Sequence, residues 1–141
     1  AVVVAQNSVV TSVGIDIETT GRIDRHLWAN LFTEEETEHL LQLESAAQSR
    51  QATVLFSIKE AFDKYQFPIT RGWVGFRDVS VHQEDASFYR LTAQISNAKV
   101  ASTVLAVVEP VGTDQVIALV VDQSVLKATG DHLDPRTATA P

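Results

Sequence analysis

Two short stretches of the 141-residue chain hold residue types that could do chemistry together. The first is Asp16-Ile17-Glu18, which ends an apolar run through Val13 and Ile15. Strand side chains alternate between faces, so Asp16 and Glu18 share one face, while Ile15 and Ile17 are expected to point to the core. Two carboxylates side by side on a strand repel each other, at a cost in stability. A hard divalent cation would remove that cost, and Mg²⁺ is commonly held by one or two carboxylates together with substrate phosphates. The alternative is that both acids are solvated strand-end residues. The second stretch is Phe56-Ser57-Ile58-Lys59-Glu60-Ala61-Phe62-Asp63-Lys64. Here Glu60 and Lys64 stand four residues apart, on one face of a helix and in the favourable order. Taken alone, they read as an ordinary surface ion pair, worth a few tenths of a kcal/mol.

Other chemistries find no support. There is no Gly-x-Ser-x-Gly turn for a nucleophilic serine and no Gly-x-x-x-x-Gly-Lys loop for phosphates. With no cysteine, disulfides, thiolate catalysis and zinc ribbons are excluded. His26, His39, His82 and His132 show no metal-ligand spacing and read as surface or boundary residues.

The elements that must position the two stretches can be read from periodicity. Ala1 to Ala5 and Val9 to Glu18 read as strands. His26 to Phe32 suits a short helix. Thr33 followed by Glu36 is a capping box, with Leu40, Leu41 and Leu43 as the buried side of the helix that it starts. Val54, Leu55, Ile58, Phe62 and Tyr65 recur at helical spacing, which predicts a helix from about Ser49 to Tyr65, stopped by Pro68. Trp28, Trp73 and Phe76 are expected to be core anchors. Strands are predicted over Asp78 to His82, Phe88 to Ser96, Val104 to Glu109 and Val116 to Asp122, with a turn at Pro110-Val-Gly112. Strands, then helices, then strands make an α+β domain, a mostly antiparallel sheet with helices packed on one face. The domain is expected to span residues 1–124, and the polar stretch 125–141 reads as a loose tail.

Composition bounds the class. Apolar residues make up 45% and charged residues 21%, the globular range. No apolar run approaches membrane-spanning length, so no membrane partner is expected, and cytoplasm is the default compartment. The net charge of −7 argues against nucleic acid as a partner. Eight of the eleven basic residues nevertheless lie between Arg22 and Arg90, so a local basic face can form.

Taken together, the two stretches say more than either alone. Glu60 lies 44 residues after Asp16. Gly-Ile-Asp-Ile-Glu, followed at that distance by aromatic-Ser-x-Lys-Glu-Ala-aromatic-x-Lys, resembles the 4′-phosphopantetheinyl transferases, in particular their larger surfactin- and enterobactin-type branch. Residues 68–81 are similar to that branch's downstream segment. The resemblance covers residues 9–82 well and the later strands in order only. It implies Mg²⁺-dependent transfer of 4′-phosphopantetheine from coenzyme A to a serine of an acyl or peptidyl carrier protein. It implies Asp16, Glu18 and Glu60 as metal ligands, Glu60 and Lys64 as catalytic residues, and Lys59 and Lys64 as contacts to the coenzyme. Lys59, about 100° around the helix from Glu60, would face coenzyme phosphate or solvent. Arg22 and Arg25 are candidates for gripping an acidic carrier protein, or plain solvated loop arginines. Members of that branch have two similar halves with the active site between them, and this chain resembles the second half. A second half-domain or a second copy is therefore expected as a partner, and a non-catalytic module that binds coenzyme A or the carrier is the competing expectation.

Overall fold

A computed structural model of the chain describes residues 11–95, 100 and 103–122. The strand expected at Ala1 to Ala5, the start of that at Val9, and the tail from residue 125 lie outside the described residues.

Chain order gives β1 (Val13–Thr19), a 3₁₀ turn (Arg25–Leu27), α1 (Trp28–Leu31), α2 (Glu34–Leu41), α3 (Ser45–Thr70), a second 3₁₀ turn (Phe76–Asp78), β2 (Val79–Gln83), β3 (Phe88–Ala93), β4 (Thr103–Val111) and β5 (Gln115–Asp122). The five strands form one sheet in the order β1-β5-β4-β3-β2, and every neighbouring pair is antiparallel. With α3 packed across β1 and β5, this is the expected α+β architecture. No helix among the described residues is long and apolar enough to cross a membrane.

Local sequence explains much of this. Thr33 Oγ1 accepts from the Glu36 N–H at 3.2 Å, and Glu36 Oε2 accepts from the Thr33 N–H at 2.9 Å, so the capping box forms in full. Leu40 is buried behind it, whereas Leu41 is exposed and Leu43 only half-buried, because eight residues of helix turn too narrow a stripe inward to bury all three. Tyr65 donates its hydroxyl hydrogen to Asp122 and so ties α3 to the end of β5.

Three expectations change. First, α3 is longer than its apolar spacing suggests and contains Pro68 rather than stopping before it. A proline in the last turn forfeits one backbone bond but leaves the preceding turns intact. The helix ends three residues later at Arg71, which adopts φ 57° and donates its N–H to the Phe67 carbonyl. Second, Trp73 is no core anchor: it is 76% exposed in the loop after α3, against the edge of Phe76. Trp28 is buried as expected, and Phe76 is half-buried against Phe56.

The third change is the facing of β1. Asp16, not Ile15 or Ile17, points into the layer between sheet and helix. The cause is Gly14. A Cβ built there would lie 1.7 Å from the Ala61 carbonyl oxygen and 2.7 Å from the Tyr65 nitrogen, so the strand backbone lies directly on the helix backbone. Alternation then turns Gly14, Asp16 and Glu18 toward α3 and Ile15 and Ile17 to the opposite face. Strand register adds Ile117 and Leu119 of β5, Leu105 and Val107 of β4 and Phe88 of β3 to that opposite face. These side chains are half-buried, with Ile17 and Phe88 each 39% exposed, and no helix among the described residues covers them.

Gly14→Ala should therefore be costly. The added methyl meets backbone that cannot rotate away, and a loss of about 3 kcal/mol or more is expected. Gly112→Ala meets open space but keeps a φ of 62°, and should cost only about 1 kcal/mol. Urea unfolding of the two variants measures both; equal losses would refute the close approach at Gly14.

Candidate active site

Position 16 is where β1 and α3 exchange side-chain contacts. Ser57 Oγ donates to Asp16 Oδ2 at 3.0 Å, and Lys64 Nζ donates to Asp16 Oδ1 at 2.6 Å. Ser57 and Lys64 are seven residues apart, hence on one face of α3, and Glu60 lies between them on the same face. Asp16 and Ser57 are buried, while the Lys64 side chain is 50% exposed. The face is thus closed at its base and open at its rim.

Three of the expected residues share an electrostatic neighbourhood here. Burial, then the nearby charges of Asp16 and Glu60, raise the Glu18 carboxyl above the usual glutamate range. Burial and then the Asp16 charge raise Glu60 likewise. Lys64 acts on both in the opposite sense but does not reverse either. The donor set is all oxygen, close enough for mutual repulsion, with a cation already on Asp16, and its chemistry fits a hard divalent ion. Among the described residues no cluster of three or more such groups is already gathered as an ion site, and Asp16 Oδ1 is taken by the Lys64 ammonium.

Lys59 is a correction. Its ammonium is sealed in the core, 1% exposed, and donates to Glu36 Oε2 at 2.7 Å, to the Leu31 carbonyl at 3.0 Å and to the Phe76 carbonyl at 2.8 Å. It faces neither solvent nor a coenzyme phosphate. One step around the helix from Glu60 is enough to turn it to α1, α2 and the loop before β2. Burial pulls its basicity down, and Glu36 pulls it part of the way back. Glu36 in turn accepts the Val81 N–H through Oε1 at 2.9 Å, so this pair joins α2, α3 and β2.

Arg22 and Arg25 are exposed on the loop that leaves β1. Arg22 is near enough to Glu18 to act on its carboxyl, and Arg25 lies over the Trp28 ring at 5.5 Å. His26 is exposed beside Asp24. His39 and His82 line a cleft of about 620 Å³ between α2 and the β2–β3 hairpin, with Gln51 and Leu55 of α3 as its floor. Those two positions face away from Glu60 and Lys64 around the helix, so that cleft is separate from the acidic site.

Sequence reasoning overlooked Ser57 and Glu36. The signal for Ser57 was its place on the stripe 57, 60, 64. Glu36 was recognised as a cap, but its core partner lies 23 residues away and no local pattern reveals it.

Two outcomes follow. Above the ordinary glutamate range, ionised Glu18 and Glu60 cost stability, because their folded carboxyls hold protons more tightly than the unfolded ones. Glu60→Gln should therefore raise the melting temperature near pH 7.5, and the gain should shrink as pH falls into the ordinary glutamate range, as calorimetric scans across that interval would show. Lys59→Met leaves a buried, uncompensated Glu36 and should cost about 3–5 kcal/mol, and adding Glu36→Gln should recover part of it. A double-mutant cycle in urea measures this; no recovery would mean that the pair is not coupled.

The family model of the 4′-phosphopantetheinyl transferase superfamily matches residues 12–120. No curated protein matches the chain in sequence. Among solved structures, the holo-[acyl-carrier-protein] synthase of Thermotoga maritima is similar at 20% identity and TM-score 0.61, over 79% of this chain and 62% of that one. A holo-(acyl-carrier-protein) synthase of Bacillus anthracis, solved in complex with CoA (3′,5′-ADP), is similar at 22% identity and TM-score 0.60, over 79% of this chain and 95% of that one. The chain thus spans less than two-thirds of the first of these proteins, and identities this low speak for the fold. The match of the family model over most of the chain goes further: this chain belongs to the 4′-phosphopantetheinyl transferase superfamily, a family of transferase enzymes.

Proposed function

We propose that the chain transfers 4′-phosphopantetheine from coenzyme A to a serine hydroxyl of a carrier protein. The observation that carries this reading is the meeting of Asp16 and Glu18 on β1 with Glu60 and Lys64 on α3, at a site sealed below and open above. The serine oxygen forms a bond to the phosphorus that bears the pantetheine arm. The bond from that phosphorus to the bridging oxygen breaks, and 3′,5′-ADP leaves with the electron pair. Such a transfer asks for little covalent help and for firm placement of charge.

Glu60, or a water held beside it, receives the serine proton. Lys64, one helical turn on, neutralises charge that builds on the departing phosphate. A bound Mg²⁺ would supply charge neutralisation on the diphosphate, and Asp16, Glu18 and Glu60 are the residues that would hold it. The exposed Arg22 and Arg25 give an acidic carrier a basic approach despite the net charge of −7.

The presence of both motifs without a substitution at a charged position supports the surfactin- and enterobactin-type branch, although the two similar structures described above are holo-carrier-protein synthases. The half-exposed apolar face formed by Ile15, Ile17, Ile117, Leu119 and Phe88 supports a partner on the sheet, either a second half-domain or a second copy. A standard interface of that kind buries on the order of 1,600 Å².

The test is incubation with coenzyme A, Mg²⁺ and an apo carrier protein, followed by mass spectrometry of the carrier, with sedimentation to report the size of the active species. Glu60→Gln and Lys64→Ala should each lower turnover by about 10²-fold or more, with less than additive loss in the double variant. Unchanged turnover in Glu60→Gln would refute its role as base. Transfer by a species that sediments as a monomer would refute the need for a partner. Binding of coenzyme A without any transfer, in every assembly tried, would favour the non-catalytic module.

A further inference from the structure

The two oxygens of Asp16 are held by partners of opposite character. Oδ2 accepts from Ser57, whose side chain is wholly buried. Oδ1 accepts from Lys64, whose side chain is half exposed on a flexible stem. One oxygen is thus bound inside the core, and the other carries a cation whose side chain reaches solvent. An ammonium and a divalent ion held by the same oxygen would be close neighbours of like charge and would repel each other.

We propose that Lys64 is a resident counter-ion which a divalent cation displaces from Asp16, and that the released ammonium is handed to the diphosphate of the coenzyme. This rests on the reading above that Asp16, Glu18 and Glu60 hold the metal. Ser57 acts as a positioning residue that keeps Asp16 aimed through the exchange. Metal alone binds weakly, because it must first evict an ammonium that then has no anion to meet. Coenzyme supplies that anion, so metal and coenzyme assist each other, and by linkage the assistance is equal in both directions.

The probe is Mn²⁺, titrated into the full chain with the free ion read by electron paramagnetic resonance, with and without coenzyme A. Lys64→Met should bind Mn²⁺ alone about fivefold more tightly than the parent, the factor expected for losing a half-exposed ion pair. Coenzyme A should raise Mn²⁺ affinity in the parent and distinctly less in Lys64→Met. Lys64→Arg, which keeps a cation, should follow the parent. Arg22→Gln removes a nearby charge that touches no oxygen of Asp16, and should shift affinity far less than Lys64→Met. If Lys64→Met binds no more tightly, or Arg22→Gln tightens binding as much, displacement is overturned. In that case a weakening of Mn²⁺ binding by Asp16→Asn would leave the metal assignment standing. Binding indifferent to Asp16→Asn would overturn both. Equal enhancement by coenzyme A in parent and Lys64→Met, or none in the parent, would overturn the hand-over to the diphosphate.

Discussion

The close approach of β1 to α3 at Gly14 is the constraint on which the rest depends. With no side chain at position 14, the strand lies on the Ala61 carbonyl, and the two backbones are in contact without an intervening layer. At that separation Asp16 reaches Ser57 and Lys64 directly. A side chain at 14 would push the strand outward and open the distance between the carboxylates of β1 and the charged stripe of α3. Sheet–helix packing here is therefore also the ruler of the site.

The same fold treats two lysines five residues apart in opposite ways. Lys59 is stripped of water, given three acceptors and used as a structural rivet between α1, α2, α3 and the loop before β2. Lys64 keeps half its side chain in solvent and holds a single carboxylate oxygen. Burying the first fixes the helix against its neighbours. Leaving the second near water keeps it mobile enough for chemistry at the rim. A five-residue step turns the helix by about 140°, which is enough to separate the two roles.

How far the sequence could be read follows from which signals are local. The capping box at Thr33 and Glu36, the apolar spacing of α3 and the strands after it rest on neighbours in the chain; the box and those strands appear where periodicity puts them, and α3 extends past both ends of its apolar stripe. The site stripe at 60 and 64 was legible for the same reason. The facing of β1 was not, because alternation says which residues share a face but not which face is inward. Two isoleucines argued for one answer and a glycine for the other, and backbone contact at Gly14 decided it. Lys59 was misplaced because its partners come from three separate segments. Trp73 was misplaced because an aromatic side chain argues for burial only where an element presses against it, and its loop offers only the edge of Phe76.

Among the described strands β1 lies at one end of the sheet, beside the site and paired with β5 alone. An apolar edge strand of the kind Val13, Ile15 and Ile17 would make invites a second strand to add to it. Asp16 and Glu18, charged and turned inward, make such an addition unfavourable, since a flat stack of copies would line their carboxylates up one above another. The same acids thus guard the sheet against self-association. Neutralising them would relax that guard, so Asp16→Asn and Glu18→Gln variants should be handled as more prone to aggregate than the parent.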